Sequence, residues 1–451
     1  MRKELTDRLR AIVRQTPDRP AVRDLTFEPD VETPDTWRAG PSGPAELAAA
    51  LGGIAIEDGT AHVVMIDRVY ESTQSHGRWR IETCAPSADA PLGMFDAKAA
   101  AAPDWASRPV FFDTETTGLS GGAGTIAFLA GCGWFEPGGF RVRQWLLTSQ
   151  SGERLLLKKL GAAVEAASLL VSYNGRSFDV PLMDMRWAYH RQPSPFDDVP
   201  HFDMLPPARK LWGRRESAAD PGGDSSCSLS TLERDVLGFH RVGDVPGFEI
   251  PARYFQFLRT GDHRLLEGVL DHHRHDIVSL AVLMSYALRL AQGGPDLCRD
   301  DHELVALGRI YERAGLADRA LEAFDRAALS ADRYVRAHAF SRLGLIHRRE
   351  SRHAEAARAW QGVLEAAGGR RSLFPLERMA TEALAIHHEH RAKDLDEAKK
   401  YAESMRSQAT GRTATEASHR LARLERKLGE AARKMSGEKK KGGPKTAPLL
   451  E

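Results

Sequence analysis

Cysteine is scarce in this chain. Its four thiols (Cys84, Cys132, Cys227 and Cys298) are far apart and none belongs to a C-x-x-C pair. That excludes a disulfide-framed domain or a cysteine-based zinc site and fits reduced thiols in an intracellular protein. Long apolar runs are missing too. No stretch approaches the roughly 20 residues needed to cross a bilayer, and no apolar leader follows Met1-Arg2-Lys3, so a cytoplasmic protein with no membrane attachment is expected. Charge of one sign is also absent: 63 Lys and Arg stand against 62 Asp and Glu, a formal net charge of +1. This argues against a protein that coats nucleic acid through a global positive field, while permitting a local basic groove. The length of 451 residues exceeds what a single core usually serves, so two or three domains are expected.

Against this plain background one stretch stands out, Val110-Phe111-Phe112-Asp113-Thr114-Glu115-Thr116-Thr117-Gly118-Leu119. An apolar, strand-like run delivers two carboxylates at alternate positions and then breaks at glycine. Residues two apart on a strand share a face, so Asp113 and Glu115 point into one cleft. Two such carboxylates repel unless a cation lies between them, and a hard divalent ion is the natural partner. Two further segments can complete a site. Leu169 to Asp179 is a short apolar strand, a polar break and an aspartate; Asp271 to Leu280 reads as helix, with His272 and Asp276 four apart on one side.

The ordered set Asp113, Glu115, Asp179 and Asp276 resembles the DEDD superfamily of 3′–5′ exonucleases, and Asn174-x-x-x-Phe178-Asp179 is similar to its second motif. The wording most resembles the YprB-like, ribonuclease H-like branch. Ser228-Leu229-Ser230-Thr231-Leu232-Glu233, Asp244-Val245-Pro246-Gly247 and Ile250-Pro251-x-x-Tyr254-Phe255 carry further likeness. The resemblance implies a metal-dependent 3′–5′ exonuclease acting on nucleic acid, most naturally a single-stranded 3′ end. It implies two divalent cations, Mg²⁺ or Mn²⁺, about 4 Å apart, held by Asp113, Glu115, Asp179 and Asp276. Asp113 bridges both ions in this reading, Glu115 and Asp276 complete the water-activating ion, and Asp179 holds the other through ordered water.

The proton acceptor in that superfamily is a tyrosine separated from the last aspartate by three residues or a histidine separated by four. Here His273, Arg274 and His275 intervene, so His272 supplies histidine chemistry at the tyrosine register. A surface position in a histidine-rich helix is the alternative for His272; His273 and His275 are expected to be bystanders. Substrate contacts are expected from the backbone of Thr116 and Leu119 toward the terminal sugar, and from Asn174 and Phe178 toward the end base. The structural alternatives are a turn for Asn174 with Gly175, and a core position for Phe178.

The expected fold class is α/β ribonuclease H-like, a mixed central sheet with helices on both faces, followed by an all-α tetratricopeptide-repeat solenoid. Residues 1–105 read as an N-terminal extension, with a helix at Leu5–Val13, a Pro- and Gly-punctuated stretch from Pro17 to Pro44, and a linker or lid over Ala85–Pro109. Residues 106–293 form the nuclease domain. Within it Ser120 to Gly124 reads as a flexible hairpin connection, Ala218 to Ser226 as a turn-rich interruption, and Ser230-x-x-Glu233 as a capping box. Over 297–434, Leu307, Gly308, Tyr311, Gly315, Ala320, Phe324 and Ala327 match a tetratricopeptide repeat, and Phe340, Leu343, Gly344, Ala356 and Trp360 begin a second. A degenerate third lies near Ala385 to Met405, and Thr415 to Lys434 reads as a capping helix. A protein partner is expected on these repeats. Residues 435–451 read as a disordered basic tail. Two rival functions remain at this stage: an inert nuclease-fold scaffold, and a structure-specific endonuclease.

Overall fold

Alternation of large apolar side chains builds the central sheet. In the strand Pro109–Thr116, Val110 and Phe112 face one way and Phe111 the other, all fully buried. A computed structural model describes residues 43–118, 124–213, 227–408 and 412–441, and all of them fall in one compact unit, Gly40–Glu451. The helix expected at Leu5–Val13, most of the punctuated stretch after it, Leu119, the greater part of the glycine-rich connection, the 218–226 interruption and 442–451 lie outside the described residues.

The strands are β1 (Ile54–Asp58), β2 (Ala61–Glu71), β3 (Ser75–His76), β4 (Trp79–Arg80), β5 (Pro109–Thr116), β6 (Ala127–Glu136), β7 (Gly139–Leu147), β8 (Leu169–Ser172) and β9 (His201–Asp203). Seven form one mixed sheet in the order β1-β2-β7-β6-β5-β8-β9, antiparallel from β1 to β5 and parallel across β5, β8 and β9. The N-terminal hairpin β1–β2 therefore extends the sheet, with Val63 to Glu71 paired along β7. β3 and β4 make a separate two-stranded hairpin. The expected linker is ordered: Leu92, Phe95, Ala99 and Trp105 bury into the core through short 3₁₀ turns.

The helices are α1 (Pro44–Ala50), α2 (Glu153–Glu165), α3 (Asp179–Tyr189), α4 (Leu205–Trp212), α5 (Leu229–Leu232), α6 (Ile250–Thr260) and α7 (Arg264–Gly293), then α8 (Asp301–Arg313), α9 (Ala317–Ala327), α10 (Arg333–Arg349), α11 (His353–Ala367), α12 (Phe374–His387), α13 (Leu395–Gln408) and α14 (Arg412–Lys441). Helix α14 continues through Lys441, into the stretch expected to be disordered. The cap of α5 is Ser228, whose hydroxyl accepts from the Thr231 amide at 3.3 Å, and not Ser230; Glu233 is buried elsewhere.

Two cores flank the sheet. On one face α2, α3 and α6 cover Val110, Phe112 and Leu129; on the other, α4 and the later turns of α7 cover Phe111, Phe140 and Val171. Helix α7 belongs to both. Its Leu266, Val269 and Leu270 sit in the first core, and Ile277 to Ala291 in the second. The polar segment between these two anchors is Asp271 to Asp276. Beyond α7 the chain is helical and packs in consecutive pairs, with Gly308 against the Phe324 ring and Gly344 against that of Trp360.

Candidate active site

Asp113 and Glu115 have the same parity as Phe111, so they face the side of the sheet where α7 crosses. The β5–β6 register shifts between Glu115 and Thr116, a bulge that turns the strand end at the site. Opposite Asp113 on β6 is Gly131, where a methyl group would stand 2.4 Å from His273 Cε1 and 2.6 Å from Ile277 Cδ1. Bare backbone there lets α7 lie close to the sheet. His273 is fully buried and no bystander: its Nε2 lies 3.0 Å from the Asp113 backbone oxygen, and its Nδ1 2.9 Å from Gln144 Nε2. The amide can only donate, so Nδ1 accepts and Nε2–H donates to Asp113. Burial holds the imidazole neutral, its pKa lowered to about 4. This contact locks α7 to β5 in register.

That docking brings Glu115, His272 and Asp276 together, with ligand atoms all within 4.8 Å of one another; they form the one such group of three found among the described residues. Asp113 lies beside them, its Oδ2 3.8 Å from His273 Nε2. Burial first, then the neighbouring charges of Asp276, Asp179 and Glu115, pushes the Asp113 carboxyl well above the usual carboxylate range. Glu115 is raised for the same reasons, with Asp276 its strongest neighbour after burial. Asp179, first residue of α3, is pushed up to about 6 by burial, against the pull of a hydrogen bond donated by Thr114. Four carboxylates from three segments thus crowd one partly buried region, and the charges of Asp276 and Asp179 raise the cost of ionising Asp113 and Glu115.

Three residues not anticipated as part of the site line its other side. Arg241, on the loop after α5, donates to Asp276 through Nη2, and to Glu233 through Nη2 at 2.6 Å and Nε at 2.7 Å. Its Nη1 is 3.4 Å from Asp244 Oδ2. Asp244 Oδ1 lies 2.8 Å from His272 Nδ1, while His272 Nε2 lies 3.5 Å from Asp276 Oδ2. Arg241 Nη1 also lies 3.1 Å from the same His272 Nδ1, so that nitrogen meets both a carboxylate and a guanidinium, while Nε2 faces the site carboxylates. Glu233 and Asp244 come from the two short stretches that share wording with the YprB-like branch. No period or spacing ties Arg241 to them.

The second motif forms a tight turn. Asn174 takes φ 65°, and its amide donates to Asp203 Oδ1 at 2.8 Å; Asp203 also accepts from the Arg176 and Leu205 amides. Buried Asp203 was another residue that sequence reasoning did not single out, and it ties this loop to β9. Asn174 thus sits in the turn. Phe178 does not fill the core; it is 62% exposed immediately before Asp179. The Thr116 hydroxyl donates to the Gly118 carbonyl at 3.0 Å, closing the strand end.

The chain is similar to several known proteins. Residues 110–288 match the family described as the RNase_H superfamily. Over 321 residues the chain is 31% identical to the uncharacterized protein YprB of Bacillus subtilis (strain 168), covering 70% of this chain and 74% of that one. Among solved structures, the family B DNA polymerase of Pyrobaculum calidifontis aligns over 46% of this chain and 29% of its own, with 14% identity and a TM-score of 0.30.

Proposed function

The chain belongs to the RNase H superfamily, in the family of the Bacillus subtilis YprB protein, and on that premise we propose that it is a metal-dependent 3′–5′ exonuclease of nucleic acid. The observation that carries the proposal is an unbalanced charge. Asp113, Glu115, Asp179 and Asp276 converge, and the one cation bonded to any of them among the described residues is Arg241, which Glu233 already neutralises. An oxygen-rich, acidic donor set of this kind fits hard divalent cations such as Mg²⁺ or Mn²⁺ better than zinc.

Asp113, Glu115 and Asp276 would hold such ions, with Asp179 alongside. Bound there, two divalent cations would supply the neutralising charge for the phosphoryl group and the departing 3′ oxygen, and a water of lowered pKa. The remaining work belongs to side chains. In the tautomer whose Nδ1–H donates to Asp244, His272 offers Nε2 to take the proton of the attacking water. The exposed Phe178 ring offers a face for stacking on the terminal base, and backbone at Thr116 reads the end sugar. The substrate proposed is a single-stranded 3′ end.

We further read residues 297–434 as a tetratricopeptide-type array that recruits a protein partner. What supports this is the recurrence of one contact, glycine against aromatic ring, at Gly308–Phe324 and again at Gly344–Trp360. The domain limits 106–293 for the nuclease and 1–105 for the extension belong to the same reading. No helix among the described residues is long and apolar enough to cross a membrane, and a cytoplasmic setting belongs to the same reading.

The test is digestion of matched single- and double-stranded RNA and DNA, 5′-labelled, with Mg²⁺ or Mn²⁺, beside Asp113→Asn. Stepwise shortening from the 3′ end that disappears in the variant is the expected result. Internal fragments would make the protein an endonuclease, and no metal-dependent loss would leave a nuclease-fold scaffold.

A further inference from the structure

Arg241 is nearly buried, with 7% of its side chain exposed, and its guanidinium is spoken for. Nε and one Nη2 hydrogen go to the two oxygens of Glu233, the other Nη2 hydrogen to Asp276, and Nη1 lies 3.1 Å from His272 Nδ1 and 3.4 Å from Asp244. Little donor capacity is left for a substrate phosphate. Glu233 is held in turn: the Ser279 hydroxyl donates to it, and Ser279 accepts from His76 Nε2 at 2.6 Å. His76 belongs to the β3–β4 hairpin and stacks on Phe239, ring centroids 3.8 Å apart. The hairpin is pinned to the same loop by the Arg78 amide, 2.9 Å from the Leu237 carbonyl. Donors and acceptors alternate without conflict from His76 through Ser279, Glu233 and Arg241 to Asp276.

From this we infer that Arg241, gripped by Glu233, is a positioning residue: it fixes the carboxylate of Asp276 directly, and the ring of His272 both directly through Nη1 and by way of Asp244. The inference rests on reading Asp276 as a metal ligand. It assigns work to the stretches ending in Glu233 and beginning at Asp244, which the exonuclease chemistry alone leaves idle. A planar fork spans Glu233 and Asp276 at once; a lysine ammonium on the same stem cannot. Outer partners of this kind set metal affinity by holding a ligand in place before the ion arrives.

The experiment measures Mn²⁺ binding by calorimetry and steady-state cleavage of a labelled oligonucleotide. It compares the full chain with Arg241→Met, Arg241→Lys, Glu233→Gln and Asp113→Asn, each checked for its melting temperature. In both Arg241 variants Mn²⁺ affinity and kcat are expected to fall about 10- to 100-fold, with KM for the oligonucleotide changed less than about twofold. Glu233→Gln is expected to move both in the same direction by less, and it serves where an Arg241 variant does not fold. Affinity that is unchanged or raised overturns the inference, the second outcome making Arg241 a counterion that metal must displace. A rise in KM with affinity intact also overturns it, making Arg241 a substrate contact. If the parent binds Mn²⁺ and Asp113→Asn does not while Arg241→Met behaves as the parent, only the clamp fails. If the parent binds no Mn²⁺, the metal-centre reading fails with it.

Discussion

At the scale of single residues, the site is a set of groups whose protonation the fold controls. Asp179 illustrates the consequence. Its carboxyl is pushed up to about 6 by burial, from an ordinary value of about 4. Between those pH values the folded protein holds a proton that the unfolded chain has released. Its contribution to metal-free stability therefore falls as pH rises through that window. Asp179→Asn has no proton to lose and still accepts from Thr114, so above pH 6 it is expected to be more stable than the parent by about 3 kcal/mol at most. His273, His201 and His76, lowered by burial to about 4, 4 and 3, act in the opposite sense, losing stability as pH falls below about 6.5. A single melting curve mixes the two; the difference between variant and parent, from pH 4 to 7.5 without metal, isolates Asp179. A difference that does not grow with pH would sink the assignment. His272 is tested separately: His272→Ala should lower kcat by about 10²- to 10⁴-fold with Mn²⁺ binding largely kept, and unchanged turnover would remove it as the base.

At the scale of elements, the question is what holds α7 against β5 closely enough for Asp276 to meet Glu115. Gly131 decides it. A methyl group there would overlap both His273 and Ile277, two fully buried side chains with nowhere to withdraw. Gly131→Ala is expected to cost about 1–3 kcal/mol by overpacking and to weaken Mn²⁺ binding as α7 shifts, which urea unfolding and metal titration would measure together. A variant with parental stability and affinity would show that the close crossing is not needed. The elements themselves were largely readable from pattern. The apolar run at 109–112 and the alternation of Asp113 with Glu115 define β5 and its functional face, and the 3.6-residue period from Leu265 to Leu290 marks α7. What pattern could not supply was the partnership of side chains across elements. Glu233 looked like a helix cap because Ser230-x-x-Glu233 has the right letters, yet the chain enters that helix two residues earlier at Ser228 and turns Glu233 inward to Arg241. His273 looked idle because its neighbour had the register of a base; its buried bonds to Asp113 and Gln144 depend on strand pairing that no local spacing encodes. Phe178 went the other way, its apolar ring suggesting core where the fold leaves it in solvent.

At the scale of the whole molecule, the nuclease sheet and the first helices of the array share a core, so they should fail together. Leu307, Ile310 and Tyr311 of α8 sit in the same cluster as Phe111 of β5 and Ile277 of α7. The polar centre of that junction is Glu303, which has no solvent exposure. It accepts from Trp212 Nε1 of α4 at 2.8 Å, from Tyr286 of α7 at 2.7 Å, and from the backbone and Nε of Arg299 at 2.7 and 2.8 Å. Satisfied on both oxygens, the carboxylate ties nuclease to array; removed, it leaves the Arg299 charge partly buried and three other donors without their acceptor. Glu303→Ala is therefore expected to destabilise the protein by about 3–5 kcal/mol, the range for breaking one half of a buried ion pair. Because the core is continuous, the loss should appear equally in helical circular dichroism and in tryptophan fluorescence, seven of the eight tryptophans preceding Gly293, at one midpoint. Two separated transitions, with the helical signal persisting after the tryptophan environment has changed, would mean that the array stands on its own. In that event the C-terminal helices would move against the sheet about a hinge at Gly293-Gly294 in place of a shared core.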